Sequence, residues 1–263
     1  MRLIKPDRQH GSYRTSNRPS PSSPAQPGPM PEDAHEYAHH ISVTNFINAY
    51  YQIRDALTYQ PHRVLVIGVG VGIEIAVLRS KFGITVETFD IDPDFQPDHV
   101  GSVHDLSRFS DQLFDVVIAS HVLEHLPFSF FRDALSELSR VAKHAVIYLP
   151  YGGKHLEMCL SVSQRRREWK LRLHVPPVFR RISGEEPELQ NNAHYWECGY
   201  PGYSVDTIRQ YLEEVFYIDG CYHNDDWKYS LNFLLTSRRV EGWVPGHNIQ
   251  TGLSYHFHYR TEG

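Results

Sequence analysis

The chain has 263 residues, is 41% hydrophobic and 22% charged, and carries a formal net charge of −5 at pH 7. That length suits one α/β domain with a sizeable core and appendages, and the mildly negative charge offers no bulk attraction to nucleic acid. Three widely spaced cysteines, Cys159, Cys198 and Cys221, exclude a disulfide framework and a C-x-x-C metal pair and suit a cytoplasmic setting. No apolar run approaches a membrane span, and the N-terminus lacks the apolar stretch of a secretory signal.

Residues 1–31 are polar, with dense Ser and Pro over 12–31. Such a segment buries too little apolar area to offset its ordering entropy, so disorder is expected. A helix is predicted over 32–58, where Tyr37, Ile41, Phe46, Ile47, Tyr50, Ile53 and Leu57 recur at helical spacing. Strand 64–67 then runs into Gly68, Gly70 and Gly72, and a helix follows over 72–82. Strand 85–90 ends on Asp90, and a short strand is expected over 99–103. Strand 114–119 leads to a helix over 128–142 with one apolar stripe, Phe131, Leu135, Leu138 and Val141, before strand 145–149.

Residues 151–202 break the alternation and read as a lid insertion before a helix over 204–215. Strands 216–222 and 231–236 close the sheet as an antiparallel pair around the turn Asn224-Asp225-Asp226. The tail 241–263 is aromatic and His-rich without a clear period. The predicted fold class is therefore α/β: a Rossmann-like doubly wound seven-stranded sheet over 32–240, mostly parallel with an antiparallel last strand, plus the lid insertion. Ligands bind such sheets at the carboxyl ends of the strands, where Gly68, Gly70, Gly72, Asp90, Ser102, Val103, Ser120 and His121 converge.

The glycine turn narrows the ligand. A nicotinamide or flavin fingerprint, G-x-G-x-x-G, would need a glycine at Ile73 or Ile75, and the P-loop lysine is absent. What remains is G-x-G-x-G with an acid ending the second strand, then Phe114-Asp115-Val116-Val117 running to Leu123-Glu124-His125-Leu126, then Ala145 to Pro150. Over about residues 60–151 this resembles the class I S-adenosylmethionine-dependent methyltransferases, of the small-molecule, type 11-like kind. The resemblance implies S-adenosylmethionine as cofactor, held by Gly68, Gly70, Gly72, Asp90, Ile91, Ser102, Val103 and Ser120. Two positions depart from the family pattern. Val66 stands where an acid usually precedes the first glycine, and Ser102 where an acid usually meets the adenine.

Methyl transfer needs donor and acceptor held in line, and a base for the acceptor's proton. His121, just past the fourth strand, is the candidate catalytic base, or else it only shapes the pocket. His125 reads as a packing or capping residue. His121-Val-Leu-Glu124-His125 also spells H-x-x-E-H, a zinc hydrolase pattern. The strand-turn context accounts for the string better, and no metal is expected. Candidate acceptor contacts are Tyr151 and His155 at the start of the insertion and His194, Tyr195 and Trp196 near its end. The alternative is that they form a minor core. This second cluster resembles, more loosely, a segment of methyltransferases in bacterial surface-saccharide pathways. A basic helix is expected around Arg165 to Arg172, to meet a phosphate, to rest on an anionic membrane, or simply to face solvent. The expected activity is methyl transfer to an oxygen or nitrogen of a small acceptor, a glycan or nucleotide-sugar by first choice. A natural-product acceptor, or a non-catalytic methyltransferase-like scaffold, are the alternatives. Small-molecule acceptors, and no nucleic acid, are the partners expected; peripheral membrane contact and the oligomeric state stay open.

Overall fold

The computed structural model describes residues 42–162, 167–175, 177, 180–189, 193–224, 226 and 229–242. The segment 1–31, the start of the predicted first helix, Arg165 and Arg166, and all but the first two residues of the tail lie outside them. Helix α1 (Val43–Thr58) opens on a capping box between Ser42 and Asn45. It is followed by β1 (Arg63–Ile67), α2 (Ile73–Phe82), β2 (Thr85–Asp90), β3 (His99–Val100), β4 (Phe114–Ser120), α3 (Phe131–Val141) and β5 (Ala142–Pro150). After the insertion come α4 (Val205–Val215), β8 (Phe216–His223) and β9 (Ser230–Ser237).

The seven strands lie in the order β3-β2-β1-β4-β5-β9-β8. β1 pairs parallel with both β2 and β4, and β4 with β5, while β9 runs antiparallel between β5 and β8. The chain moves outward from β1 to β3 and then returns to the other side of β1. That reversal is the switch point where such sheets open a crevice.

The central strands β1, β4 and β5 are largely apolar because both of their faces are covered. Leu65 and Ile67 of β1, Val117 and Ala119 of β4, and Ala145, Ile147 and Leu149 of β5 join the core beneath α3 and α4. Their alternates, Val64, Val66, Val116, Ile118, Val146 and Tyr148, join the core on the opposite face with Tyr51 and Ala56 of α1 and Ile75 and Leu78 of α2. The period of two along each strand thus feeds two cores at once. It also explains Val66: its side chain is 1% exposed in the second core rather than at the cavity.

One expectation is overturned. The described part of the basic run, Arg167 to Arg172, is strand and not helix: Lys154–Val162 (β6) and Arg167–Val175 (β7) pair as a separate antiparallel hairpin. Trp169, Leu171, Leu173 and Val175 alternate with charged or polar neighbours, and that period is a strand's, not a helix's. The described residues of the insertion from Arg180 onward are built into the domain. Ile182, Leu189, Trp196, Cys198 and Tyr203 are buried in the α3–α4 core. The Cys198 N–H donates to Pro150 O, the Tyr195 N–H to Glu124 O and the Phe128 N–H to Gly184 O. Among the described residues no helix is long and apolar enough to cross a membrane.

Helix α1 is fastened to β5, to β8 and to the turn after β8. Asp55, fully buried, accepts from the hydroxyls of Tyr148 on β5 and Tyr222 on β8 while Arg54 pairs with its other oxygen at 2.7 Å. Tyr59 donates to Asp219 at 2.8 Å and Tyr51 to Asp226 at 3.3 Å.

Candidate active site

β1 delivers the chain into the glycine turn. The Gly68 N–H donates to Phe89 O at 2.8 Å, and Gly68, Gly70 and Gly72 take φ of 81°, 50° and 67°. A Cβ on Gly68 would stand 2.6 Å from Val122 Cγ2, whereas one on Gly70 meets nothing within 4 Å. The first glycine is therefore demanded by the chain packed above it. The second lines open space in a left-handed conformation that side chains rarely adopt.

Asp90 ends β2 beside this turn. Its Oδ2 accepts from the Val69 N–H at 2.8 Å and its Oδ1 from the Asp92 N–H at 3.0 Å. An ionised carboxylate offers about four acceptor sites, so each oxygen keeps capacity for a ligand hydroxyl.

Two cavities meet at the glycines. The first, about 310 Å³, is lined by Gly68, Gly70, Asp90, Ile91, Ser102, Val103 and His121, joined by Phe95 and His125. The second, about 240 Å³, lies under α1 and is lined by Asn45, Asn48, Gln52, Glu74, Ser120, His121 and the turn from Gly68 to Val71. His121 borders both. Its φ is 55°, a left-handed value for a side-chain-bearing residue, and its N–H donates to Tyr148 O at 2.9 Å. Strain of this kind at a strand end is found where a side chain must be aimed. Its ring places Nε2 3.2 Å from Ser230 Oγ and Nδ1 3.5 Å from Glu124 Oε1.

The structure brings together most of the residues singled out from sequence, with exceptions. Gly72 borders neither cavity and serves as the N-cap of α2. Ser102 Oγ bonds His104 Nδ1 at 2.8 Å. Trp196 is fully buried against Phe128 and Phe131, with its indole N–H donated to Leu126 O, so its ring is core rather than an acceptor platform. Tyr151 is half-buried, with its ring centroid 4.7 Å from that of His223. Tyr195 is half-buried against the core, and His194 is tied to Glu197 at 2.9 Å. His155 lies on β6, where only the backbone is described.

Sequence reasoning missed the α1 contribution. Asn45, Asn48 and Gln52 are spaced by three and four, one polar stripe along the first three turns of the helix, and that spacing was a usable signal. Asn48 Nδ2 donates to Ser120 Oγ at 3.1 Å, while its buried Oδ1 has no partner among the described residues. Glu74, on the first turn of α2, is 6% exposed, and burial pushes its carboxyl above the usual carboxylate range.

Residues 65–149, from β1 to β5, match a family described as a methyltransferase domain. No curated protein matches the chain in sequence. Among solved structures it is similar to an S-adenosylmethionine-dependent methyltransferase from Clostridium acetobutylicum ATCC 824, 8% identical, covering 78% of this chain and 97% of that one with a TM-score of 0.48. It is also similar to a SAM-dependent methyltransferase from Archaeoglobus fulgidus, 16% identical, covering 78% and 98% with a TM-score of 0.46. A third is the 1,6-didemethyltoxoflavin-N1-methyltransferase of Burkholderia thailandensis, with bound 1,6-didemethyltoxoflavin and S-adenosylhomocysteine, 12% identical, covering 81% and 92% with a TM-score of 0.43.

The two cavities fit S-adenosylmethionine in two halves. In the first, Asp90 offers acceptors for a ribose diol, and Ile91 and Val103 offer apolar surface for adenine. In the second, the orphan Asn48 Oδ1 and the Glu74 carboxyl offer acceptors for the amino-acid ammonium. Glu74 would thereby supply the acid that Val66 does not.

This assignment predicts opposite effects of Glu74→Gln on stability and on binding. A carboxyl whose folded pKa is raised contributes stability below its ordinary value, and that contribution is lost as pH rises through the raised value. The variant should therefore unfold at higher denaturant than the parent at pH 7 to 8, with the gap closing toward pH 4. It should bind S-adenosylmethionine about 10- to 100-fold more weakly, the worth of one charge-assisted hydrogen bond. Equal affinity measured by calorimetry would remove Glu74 from the site.

Proposed function

We propose that this chain, a class I S-adenosylmethionine-dependent methyltransferase, moves the methyl group to an oxygen or nitrogen of a small acceptor. A glycan or nucleotide-sugar is the first acceptor class to test. The observation that carries the reading is His121, held in a left-handed conformation at the junction of the two cavities.

The bound cofactor supplies an electrophilic methyl on a sulfonium. The remaining work falls to the chain. The glycine turn and Asp90 fix the nucleoside, Asn48 and Glu74 fix the amino-acid end, and the reacting centre then lies between them, beside Ser120 and His121. His121 takes the acceptor's proton as the new bond forms, with Ser230 steadying its ring. Orientation of this kind is worth several kcal/mol, up to about 7–11 in favourable intramolecular cases, and a placed base adds about 10²- to 10⁴-fold. Tyr151 and Tyr195, half-buried against the core and lining neither cavity, have the apolar faces and polar tips that suit a sugar or aromatic ring.

Calorimetry with S-adenosylmethionine, followed by a labelled-methyl screen of glycans, nucleotide-sugars and phenolic natural products, tests the reading. One cofactor per chain and label transferred to one acceptor class are expected, with turnover falling about 10²-fold or more in His121→Ala while cofactor affinity holds. No heat at millimolar cofactor would remove the enzyme. Binding without transfer to any acceptor would favour the scaffold alternative.

A further inference from the structure

We propose that Glu124, His125 and His194 form a binding site for a divalent transition-metal ion such as zinc, at the rim of the cofactor cavity. This departs from the expectation drawn from the sequence pattern. One donor atom from each of the three residues lies within 4.8 Å of the other two. The first histidine of the H-x-x-E-H string, His121, is not among them; its place is taken by His194, 69 positions further on from His125 (194 − 125).

The buried carboxylate carries the argument. Glu124 is fully buried, and neither side-chain oxygen has a hydrogen-bond partner among the described residues. Taking a carboxylate out of water without a partner is costly, and groups left in that state are found where something binds. The nearest ring nitrogen, His121 Nδ1, stands at 3.5 Å, too long for a good hydrogen bond.

The two histidines are oriented as ligands are. His125 Nδ1 lies 2.8 Å from Ala193 O, a carbonyl that only accepts, so Nδ1 carries the proton and Nε2 the lone pair. His194 Nδ1 lies 2.9 Å from Glu197 Oε1 and takes the same tautomer. Glu197 is itself 2% exposed and accepts from the Tyr229 hydroxyl at 2.7 Å. A carboxylate or carbonyl behind each imidazole is the arrangement that fixes and strengthens metal-bound histidine. The rings meet edge-on with centroids 4.8 Å apart.

Two imidazoles and one carboxylate suit zinc or a similar ion, whereas magnesium and calcium prefer oxygen throughout. Zinc bonds of about 2.0–2.2 Å place tetrahedral ligands roughly 3.3–3.6 Å apart, so side-chain rotations of about 1 Å would close the site. Three protein ligands leave a coordination position open. Because His125 also lines the cavity, an acceptor oxygen in that position would stand close to His121. This last role, unlike the site itself, rests on the methyl-transfer reading.

The test uses the full chain, stripped with a chelator and titrated with Zn²⁺, and with Co²⁺ for its visible ligand-field bands. The expected result is one tight zinc per chain. Affinity should fall about 100-fold or more in Glu124→Gln and His194→Ala, and about 10- to 100-fold in Glu197→Gln. His194→Ala should keep its affinity for S-adenosylmethionine, which shows that it is folded. Glu197→Gln supplies a second reading should Glu124→Gln fail to fold. A parent chain that takes up no stoichiometric zinc overturns the site. So do variants that bind zinc as tightly as the parent, since other histidines of the chain would then be responsible. Zinc binding without cofactor binding would remove the methyl-transfer reading and leave the site. Cofactor binding without zinc would do the reverse.

Discussion

Replacing Asp90 by alanine should weaken S-adenosylmethionine binding by about 100-fold or more. A carboxylate holding two ribose hydroxyls makes two charge-assisted hydrogen bonds, each worth about 1.5–3 kcal/mol, and 1.4 kcal/mol is tenfold in affinity. The loss is larger than the ribose contacts alone, because Asp90 also accepts from the Val69 N–H and so holds the glycine turn in place. Asp94→Ala, on the exposed turn nearby, changes neither contact and should bind within about twofold of the parent. Calorimetry on the pair checks this. An Asp90→Ala chain that melts normally and binds normally would mean that the nucleoside lies elsewhere.

Asp55→Ala should cost about 3–5 kcal/mol of folding stability, as breaking a buried charged pair does. It leaves the Arg54 guanidinium and the Tyr148 and Tyr222 hydroxyls without the carboxylate they share. Burial pushes that carboxyl upward in pKa even with Arg54 alongside. Asp55→Asn, which keeps the shape and one acceptor oxygen, should therefore cost clearly less. Denaturant titration separates the two. A loss under about 1 kcal/mol in the alanine variant would mean that α1 is held by its apolar contacts alone.

How far the sequence could be read depended on whether the signal was local. The alternation of strand and helix, the three glycines and Asp90 are short-range patterns, and they located the sheet, its switch point and the first cavity. The second cavity depends on α1 lying across the sheet, and nothing near Asn48 or Gln52 in the chain announces the neighbours they meet. Trp196 was left open between acceptor contact and minor core for a related reason. An aromatic in a long insertion looks like a binding surface until the return of that insertion along β5 puts it among Phe128, Phe131 and Tyr203. The hairpin β6–β7 was legible in its alternation, but the density of arginine drew attention to charge instead of period. Glu124 stood out in the sequence only as the glutamate of the H-x-x-E-H string, and its burial was not legible there. A glutamate in a turn is ordinarily solvated, and only packing from both sides strips it of water.

The fastening of α1 to β8 and to the turn that follows it has a consequence for the order in which the protein can be made. The bonds from Asp55 to Tyr222, Tyr59 to Asp219 and Tyr51 to Asp226 span 167, 160 and 175 positions. On the ribosome, where the N-terminal part emerges first, α1 must wait for nearly the whole domain before its partners exist. β9, which completes the sheet between β5 and β8, arrives last. The glycine turn and Asp90 can be in place long before, but α1, which roofs the second cavity, gains these three bonds only once β8 and the turn after it have emerged. A nascent chain therefore passes through a stage with an exposed sheet edge and half a pocket. Contacts of such long range fold slowly, which makes this interval the one in which a chaperone, or the cofactor itself, has most to offer.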